Sequence, residues 1–413
     1  MNVLFVVCDG MADRPVRELG RRTPLQVAET PNMDALAEMG ITGIVDPVAP
    51  GVPPGSDVAN MALLGYDPYK HYAGRGALEA LGAGLDLAPG DVAFRCNFAT
   101  LGPSGVVEDR RAGRIRTEHA TRLAEALRSV AEEVGSQFGI RIEFVPTVEH
   151  RAVLVLRGEG LSRAVSDTDP GEAGRPGREC VPLDGTPEAR RTAEIINLLS
   201  ERFRRALEAH PLNRRLPKPA NAVLFRGAGT LPRLRTLREL YGIEGACISA
   251  VALVKGVCRA AGLRLLDVPG ATGSYNTDLN AKFSSAVEAL RGGADLVYLH
   301  IKATDLASHD HAVGRKVELI ERIDKALGFA LDALDLEDET YVLVTADHTT
   351  SLRTGKHEGD PVPVVLAGPE VRPDNVDRFD EISCARGGLC RLRGTDLMPV
   401  LMNLLGRARK FGF

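Results

Sequence analysis

The sequence predicts an α/β protein: a mostly parallel sheet flanked by helices, with a second α/β segment inserted into it. Short β-branched runs alternate with longer amphipathic segments, the pattern of strands joined through covering helices. Acidic and imidazole side chains fall directly after several apolar runs, and open α/β sheets bind ligands at the carboxyl ends of their strands. At 413 residues, 44% hydrophobic and 26% charged, the chain has enough apolar material for two domains and a large core.

The first strand is expected at 3–8, an apolar run that stops at Asp9-Gly10. A helix at 32–39, closed by Gly40, leads into a strand at 41–46, and a helix at 58–64, closed by Gly65, follows the turn Pro53-Pro54-Gly55-Ser56-Asp57. Strands at 92–98, 140–145, 152–157 and 222–225 are interleaved with charged amphipathic helices at 118–134 and 187–209. Beyond them come a helix at 249–261, a strand at 264–268, a helix at 278–291, a strand at 296–301 and a helix at 313–334. Strands at 341–346 and 362–367 and a helix at 396–405 complete the pattern.

Asp9 and Ser56 stand near the N-terminus, whereas Asp305, His309, Asp347, His348 and His357 lie beyond residue 300. The stretch between is rich in turns, at Gly102-Pro103-Ser104-Gly105, 167–177 and 211–219. This division predicts a core of 1–92 and 246–413 that carries an inserted cap domain at 93–245.

Composition excludes several classes. Lys plus Arg total 51 against 55 Asp plus Glu, so no basic excess recommends nucleic acid as a partner. In the Arg-rich stretches 202–205 and 233–238 the arginines alternate with Phe, Leu and Glu as on a solvated helix face, and 5% aromatics with no Trp offer little for base stacking. The apolar opening is too short for a signal h-region or a membrane span and lacks a basic leader, so a cytoplasmic protein with no membrane partner is expected. Seven scattered cysteines without a Cys-x-x-Cys pair fit reduced thiols better than disulfides or structural zinc, Cys384 and Cys390 being the closest pair. The oligomeric state is not fixed by the sequence.

Asp305 and His309 are four apart, so on a helix they share one face and reach a common ion. His311 competes with His309, whose register with Asp305 is better, and His300 reads as a strand residue. Asp347-His348 sits directly after the apolar run 341–346, and His357 precedes the next strand. Mixed Asp and His ligation suits Mn²⁺, Zn²⁺ or Mg²⁺. Ser56 is placed as an N-cap, where free N–H groups and the positive helix end favour a phosphate. A bound metal would favour its alkoxide without a neighbouring histidine base. Together the seven side chains Asp9, Ser56, Asp305, His309, Asp347, His348 and His357 make a candidate phosphoryl-transfer centre with two divalent ions, one for each end of an in-line displacement.

With these residues assembled, the chain resembles the archaeal-type cofactor-independent phosphoglycerate mutases of the alkaline phosphatase superfamily. The likeness spans nearly the full length. It is carried by Cys8-Asp9-Gly10-Met11-Ala12-Asp13-Arg14-Pro15, Thr23-Pro24-Leu25, Thr30-Pro31-Asn32-Met33-Asp34, Gly55-Ser56-Asp57 and Gly74-Arg75-Gly76. Further matches are Phe94-Arg95-Cys96-Asn97-Phe98, Asp167-Thr168-Asp169-Pro170, His300-Ile301-Lys302-Ala303-Thr304-Asp305, Asp347-His348, Asp360-Pro361-Val362-Pro363 and 391–399. The resemblance implies an alkaline phosphatase-like core in which Asp305, His309 and His357 hold one metal and Asp9, Ser56, Asp347 and His348 the other. It implies that Ser56 is phosphorylated by 3-phosphoglycerate and returns the group as 2-phosphoglycerate, a cap domain excluding water. Asp169 is then a candidate general base, and His150, Arg151, Arg226 and Lys255 are candidate contacts for the substrate's phosphate or carboxylate. The chain departs from the family pattern at Ser308-His309-Asp310-His311, with its additional histidine, and at Asp169-Pro170-Gly171, which lacks a histidine after the proline. The same nucleophile and metals would also serve a phosphomonoesterase or a transferase to another small alcohol, and a non-catalytic binder of metal or phosphometabolite could retain the fold.

Overall fold

Every side chain from Val3 to Cys8 is buried, as in a strand covered on both faces. This computed structural model describes residues 1–410 and 412. In chain order the strands are β1 (Asn2–Cys8), β2 (Ile41–Asp46), β3 (Val92–Leu101), β4 (Val107–Asp109), β5 (Arg141–Pro146), β6 (Arg151–Arg157), β7 (Ala222–Gly229) and β8 (Gly245–Ile248). They continue as β9 (Arg264–Leu265), β10 (Leu296–Ile301), β11 (Thr340–Thr345), β12 (Thr349–Ser351), β13 (Lys356–Glu358), β14 (Val362–Ala367) and β15 (Cys390–Arg393).

The chain divides into two compact units, one of residues 1–72 and 234–413, the other of residues 73–233. The first unit holds an eight-stranded sheet in the order β15-β2-β14-β11-β1-β10-β8-β9. All its neighbouring strands run parallel except those that flank β14, which is antiparallel to both β11 and β2. The carboxyl ends of β1, β10 and β11 therefore share one rim. Because β14 runs the other way, the residues leading into it reach that same rim. The runs of β1, β10, β11 and β14 are buried almost throughout and rich in Val, Leu and Ile, as in a sheet covered on both faces. Two groups of helices pack among themselves: Pro31–Met39, Leu279–Arg291 and Val313–Leu331 in one, Ser56–Leu63, Ala252–Ala260 and Gly394–Leu404 in the other.

In the second unit β3 pairs antiparallel with β6 and β7, β5 lies outside β6, and β4 joins the end of β3. Alternation decides the rest. Phe94, Phe98, Leu154 and Phe225 enter one core with Leu123 and Leu127 of helix Thr117–Phe138 and Ile196, Leu199 and Phe203 of helix Pro187–Ala209. Arg95, Asn97, Arg151 and Arg226 alternate with them, Arg95 opposite Arg226 and Asn97 opposite Arg151, so the sheet's other face is basic.

The expected edges of the inserted segment, 93 and 245, move to 73 and 233. The helix Arg75–Gly82, absent from the sequence reading, packs on β3, and a Cβ at Gly76 would stand 2.2 Å from the Ala93 carbonyl oxygen. At the other edge Leu237 N–H donates to Ala261, tying that segment to the first unit. Strands β8, β15 and the β12–β13 hairpin were also missed, each too short to show a period. The strand expected at 264–268 stops at Leu265, where only Ala246 and Cys247 of β8 pair with it at the edge of the sheet. All seven cysteines are unpaired. Among the described residues no helix is long and apolar enough to cross a membrane.

Candidate metal centre

The first unit brings together all seven donors expected from the sequence. Asp9 follows β1 and is fixed by its N–H to Ile301, the last residue of β10. Gly10 comes next in the left-handed region, at φ +61°, and a Cβ there would stand 2.4 Å from Thr350 Oγ1 and 2.8 Å from Asp305 Cβ. Asp305 and His309 share the helix Ala303–His309 that leaves β10, and Asp347-His348 leaves β11. His357 is delivered by the β12–β13 hairpin, where it pairs with Thr350. Ser56 is the first residue of helix Ser56–Leu63, whose cap is Gly55, so it is not the N-cap expected from the sequence.

Asp305, His309 and His357 form one group, with His309 Nε2 3.2 Å from Asp305 Oδ2 and His357 Nε2 3.4 Å from Asp305 Oδ1. Alongside it, His348 Nε2 lies 3.3 Å from Asp9 Oδ1, 3.5 Å from Asp347 Oδ1 and 3.3 Å from Ser56 Oγ. A histidine thus does adjoin Ser56, contrary to the sequence reading, because the turn after β11 lies over the start of the helix. The competing His311 spends its Nδ1 on the Leu352 carbonyl and belongs to none of the Asp/His groups with metal-ligand spacing among the described residues.

The hydrogen bonds assign the tautomers. Thr350 Oγ1 donates to Asp305 Oδ1 at 2.8 Å, so it accepts from His348 Nδ1–H at 2.9 Å. His309 Nδ1–H donates to the Gly355 carbonyl at 2.7 Å and His357 Nδ1–H to the Pro54 carbonyl at 2.8 Å. In its neutral form each of the three rings therefore presents a bare Nε2 toward the carboxylates, the arrangement in which a metal-ligating histidine is held by its other nitrogen.

Asp9, Asp305 and Asp347 are fully buried. Both carboxylate oxygens of Asp9 lack a hydrogen-bond partner, although Lys302 Nζ lies 3.0 Å from Oδ2. Three buried carboxylates facing inward would be costly without a strong positive charge among them. Burial by itself would push the Asp305 and Asp347 carboxyls up, but His309, His357 and Lys302 around Asp305, and His348, His300 and Lys302 around Asp347, hold both well below the usual carboxylate range. His348 is pushed down by burial, whereas contact with Asp305 raises His309. The donor set fits divalent cations bound by carboxylate and imidazole.

In the second unit Asp169 is buried and gripped by Arg110, Nε to Oδ1 at 2.8 Å and Nη2 to Oδ2 at 2.7 Å, with Arg226 Nη1 3.3 Å from Oδ2. Burial would raise its carboxyl, but Arg110, the Gly171 N–H and Arg226 outweigh it and hold the group below its ordinary range. Asp169 is thus ionised but a weak base while Arg110 holds it. His150 is pushed down to about 4 by burial and by Arg151, Arg111, Arg95 and Arg114. Arg95, desolvated and facing Arg75, Arg151 and Arg226, is lowered to about 10. So many guanidinium groups around so few acids suit an anionic ligand. Lys255 pairs its ammonium with Asp267 at 3.0 Å.

Several residues escaped the sequence reading. Asn60, one turn beyond Ser56, donates to Asp347 Oδ2 at 2.9 Å and to the Ser56 carbonyl at 2.7 Å, and accepts from Tyr298. Its i+4 spacing from Ser56 was the available signal. Lys302 bridges Asp305 Oδ2 at 2.6 Å and Asp9 Oδ2 at 3.0 Å. Arg95 and Arg110 carry no local signal, since only strand pairing and loop return place them.

The family model described as 2,3-bisphosphoglycerate-independent phosphoglycerate mutase matches residues 37–213. A 2,3-bisphosphoglycerate-independent phosphoglycerate mutase of Ignicoccus hospitalis is 48% identical, over 100% of this chain and 99% of its own. One from Methanothermobacter thermautotrophicus is 44% identical over the whole of both chains. Among solved structures, the PH0037 protein from Pyrococcus horikoshii superposes with a TM-score of 0.86 at 40% identity, covering 100% of this chain and 99% of the other. The cofactor-independent phosphoglycerate mutase from Thermoplasma acidophilum gives a TM-score of 0.70 at 37% identity, covering 98% and 99%. Agreement of this extent leaves no part of the fold outside the comparison: the chain belongs to the 2,3-bisphosphoglycerate-independent phosphoglycerate mutase family.

Proposed function

We propose that this chain interconverts 3-phosphoglycerate and 2-phosphoglycerate through a phosphoserine on Ser56, with Asp305, His309 and His357 holding one divalent ion and Asp9, Ser56, Asp347 and His348 a second. The observation that carries this reading is the inward Nε2 of three histidines beside three buried carboxylates, with the Ser56 hydroxyl at their edge. Bound there, the ions would lower the proton affinity of the serine hydroxyl and offset negative charge on the phosphoryl group.

The chain's own groups do the rest. Ser56 Oγ forms a bond to phosphorus as the bond from phosphorus to the glycerate C3 oxygen breaks, and that oxygen takes up the proton the serine gives up. The C2 hydroxyl oxygen then forms its bond to phosphorus as the bond from phosphorus to Ser56 Oγ breaks, and the proton it loses returns to Ser56 Oγ. Ser56 opens a helix, so unpaired N–H groups and the helix dipole favour the phosphate there. Asn60 locks the Ser56 carbonyl to Asp347, which fixes the nucleophile in relation to the second ion's ligands. To Arg95, Arg151 and Arg226, with neutral His150, we assign recognition of the substrate's carboxylate and phosphate. Asp169 is the proposed carrier of the glycerate proton.

Purified protein with 3-phosphoglycerate and Mn²⁺ should form 2-phosphoglycerate with little free phosphate, and added 2,3-bisphosphoglycerate should make no difference. Stoichiometric phosphate release would replace this reading with a phosphomonoesterase. No turnover by a folded, metal-loaded protein would replace it with a binding protein.

A further inference from the structure

His300 belongs to none of the seven donors, yet it is the best-placed unassigned group beside them. It lies in β10 with no exposed surface, and its Nε2 has no hydrogen-bond partner. Nε2 is aimed at Asp9 Oδ2 at 3.1 Å, an approach not yet aligned for a hydrogen bond, and stands 3.9 Å from Asp347 Oδ2. The atoms it faces decide its role. His348 faces the Oδ1 atoms of Asp9 and Asp347, on the side of Ser56, whereas His300 faces their Oδ2 atoms, as Asn60 does at Asp347. His300 thus meets Asp9 and Asp347 at the oxygens that His348 does not face. Asp347 is oriented at both oxygens, by the Gly10 N–H at Oδ1 and by Asn60 at Oδ2. Asp9, His300 and Asp347 themselves have metal-ligand spacing, so direct ligation is the alternative the test must separate.

Resting on the two-ion reading above, we infer that His300 is a positioning residue that donates from Nε2–H to Asp9 and turns the Asp9 carboxylate so that Oδ1 serves the second ion. A short relay sets the tautomer. Val251 N–H donates to Ser249 Oγ at 3.1 Å, which leaves the Ser249 hydroxyl proton for His300 Nδ1, 3.5 Å away. With Nδ1 accepting, the ring proton resides on Nε2 and points at Asp9. Lys282, also buried, donates to the His300 carbonyl at 2.8 Å and fixes the strand at this residue. Outer partners of this kind typically change metal affinity or activity by about 10–100-fold when removed.

The test compares His300→Leu, which removes the donor, with His300→Gln, whose amide nitrogen restores a donor near the Nε2 position. Mn²⁺ binding to metal-stripped protein is followed by calorimetry, and the visible spectrum is recorded with Co²⁺. Wild type should take up two ions. His300→Leu should bind one of them about 10–100-fold more weakly, and His300→Gln should recover most of the affinity with the wild-type Co²⁺ spectrum. Ser249→Ala should weaken the same ion in the same direction, and it decides the matter should His300→Leu fail to fold. Unchanged affinity in Ser249→Ala and in a folded His300→Leu would overturn the inference, as would a Co²⁺ spectrum altered in His300→Gln, which would mark direct ligation. Wild type that binds no Mn²⁺ would sink the two-ion reading itself, a result separable from an indifferent variant of a protein that binds two.

Discussion

His348 Nε2 stands 3.3 Å from Ser56 Oγ, although 292 residues separate them in the chain. The imidazole proton is committed to Thr350, so the nitrogen facing the serine is a lone pair. Ser56→Ala should therefore abolish turnover while circular dichroism and Mn²⁺ content stay near wild type. Equal activity in that variant would exclude a covalent phosphoserine.

Thr350 holds both His348 and Asp305 through one hydroxyl. Thr350→Val keeps the shape and leaves two buried partners unsatisfied, which should cost about 1–3 kcal/mol in stability and about 10–100-fold in metal affinity or activity. Denaturant melts and Mn²⁺ titrations check the two effects, and a variant wild-type in both would mean that neighbouring groups set the His348 orientation.

Gly10 has no room for a side chain. Gly10→Ala meets the clash with Thr350 and Asp305 and adds a left-handed non-glycine residue, itself a strain of about 1–3 kcal/mol. Reduced stability and a loss of Mn²⁺ affinity should appear together; full metal binding would show that the rim relaxes more freely than its packing indicates.

Chelation should silence the enzyme reversibly. Treatment with EDTA followed by gel filtration is expected to remove activity, and Mn²⁺, Zn²⁺ or Mg²⁺ should each be tried for its return. Full turnover after exhaustive stripping would remove the metal from the mechanism.

His150 provides a pH test away from the metal ligands. Its folded value is about 4 against 6.5 in a free chain, because burial and surrounding arginines oppose its charge. Between those values the unfolded chain binds more protons, so stability should fall as pH drops from 6.5 toward 4 and be unaffected by this group above 7. In His150→Gln the slope of melting temperature against pH should be shallower over that window. Parallel curves would show that His150 titrates normally.

Strands 296–301 and 362–367 were legible because they are uninterrupted buried runs, and strand 41–46 because Gly40 closes the helix before it. The donors were legible for the same reason: Asp9 and Asp347 directly follow apolar runs. Asp305 and His309 advertise a shared helix face through their spacing. The edges of the second unit at 73 and 233 were not, since what places Arg75–Gly82 in it is packing of Gly76 on β3, which no local pattern encodes. Nor did the sequence show that Ser56 meets His348, or that Asp169 is already held by Arg110.

By itself, then, the sequence determined the α/β class, the family likeness and the choice of seven candidate donors that the fold gathers in one unit, because periodicity and residue chemistry are local properties. Tertiary structure alone decided the pairing partners. The Nδ1 partners of His309 and His357, the hold of Thr350 on Asp305 and the approach of His300 to Asp9 all depend on contacts between residues far apart in the chain. Such contacts exist only once β1, β10 and β11 lie side by side.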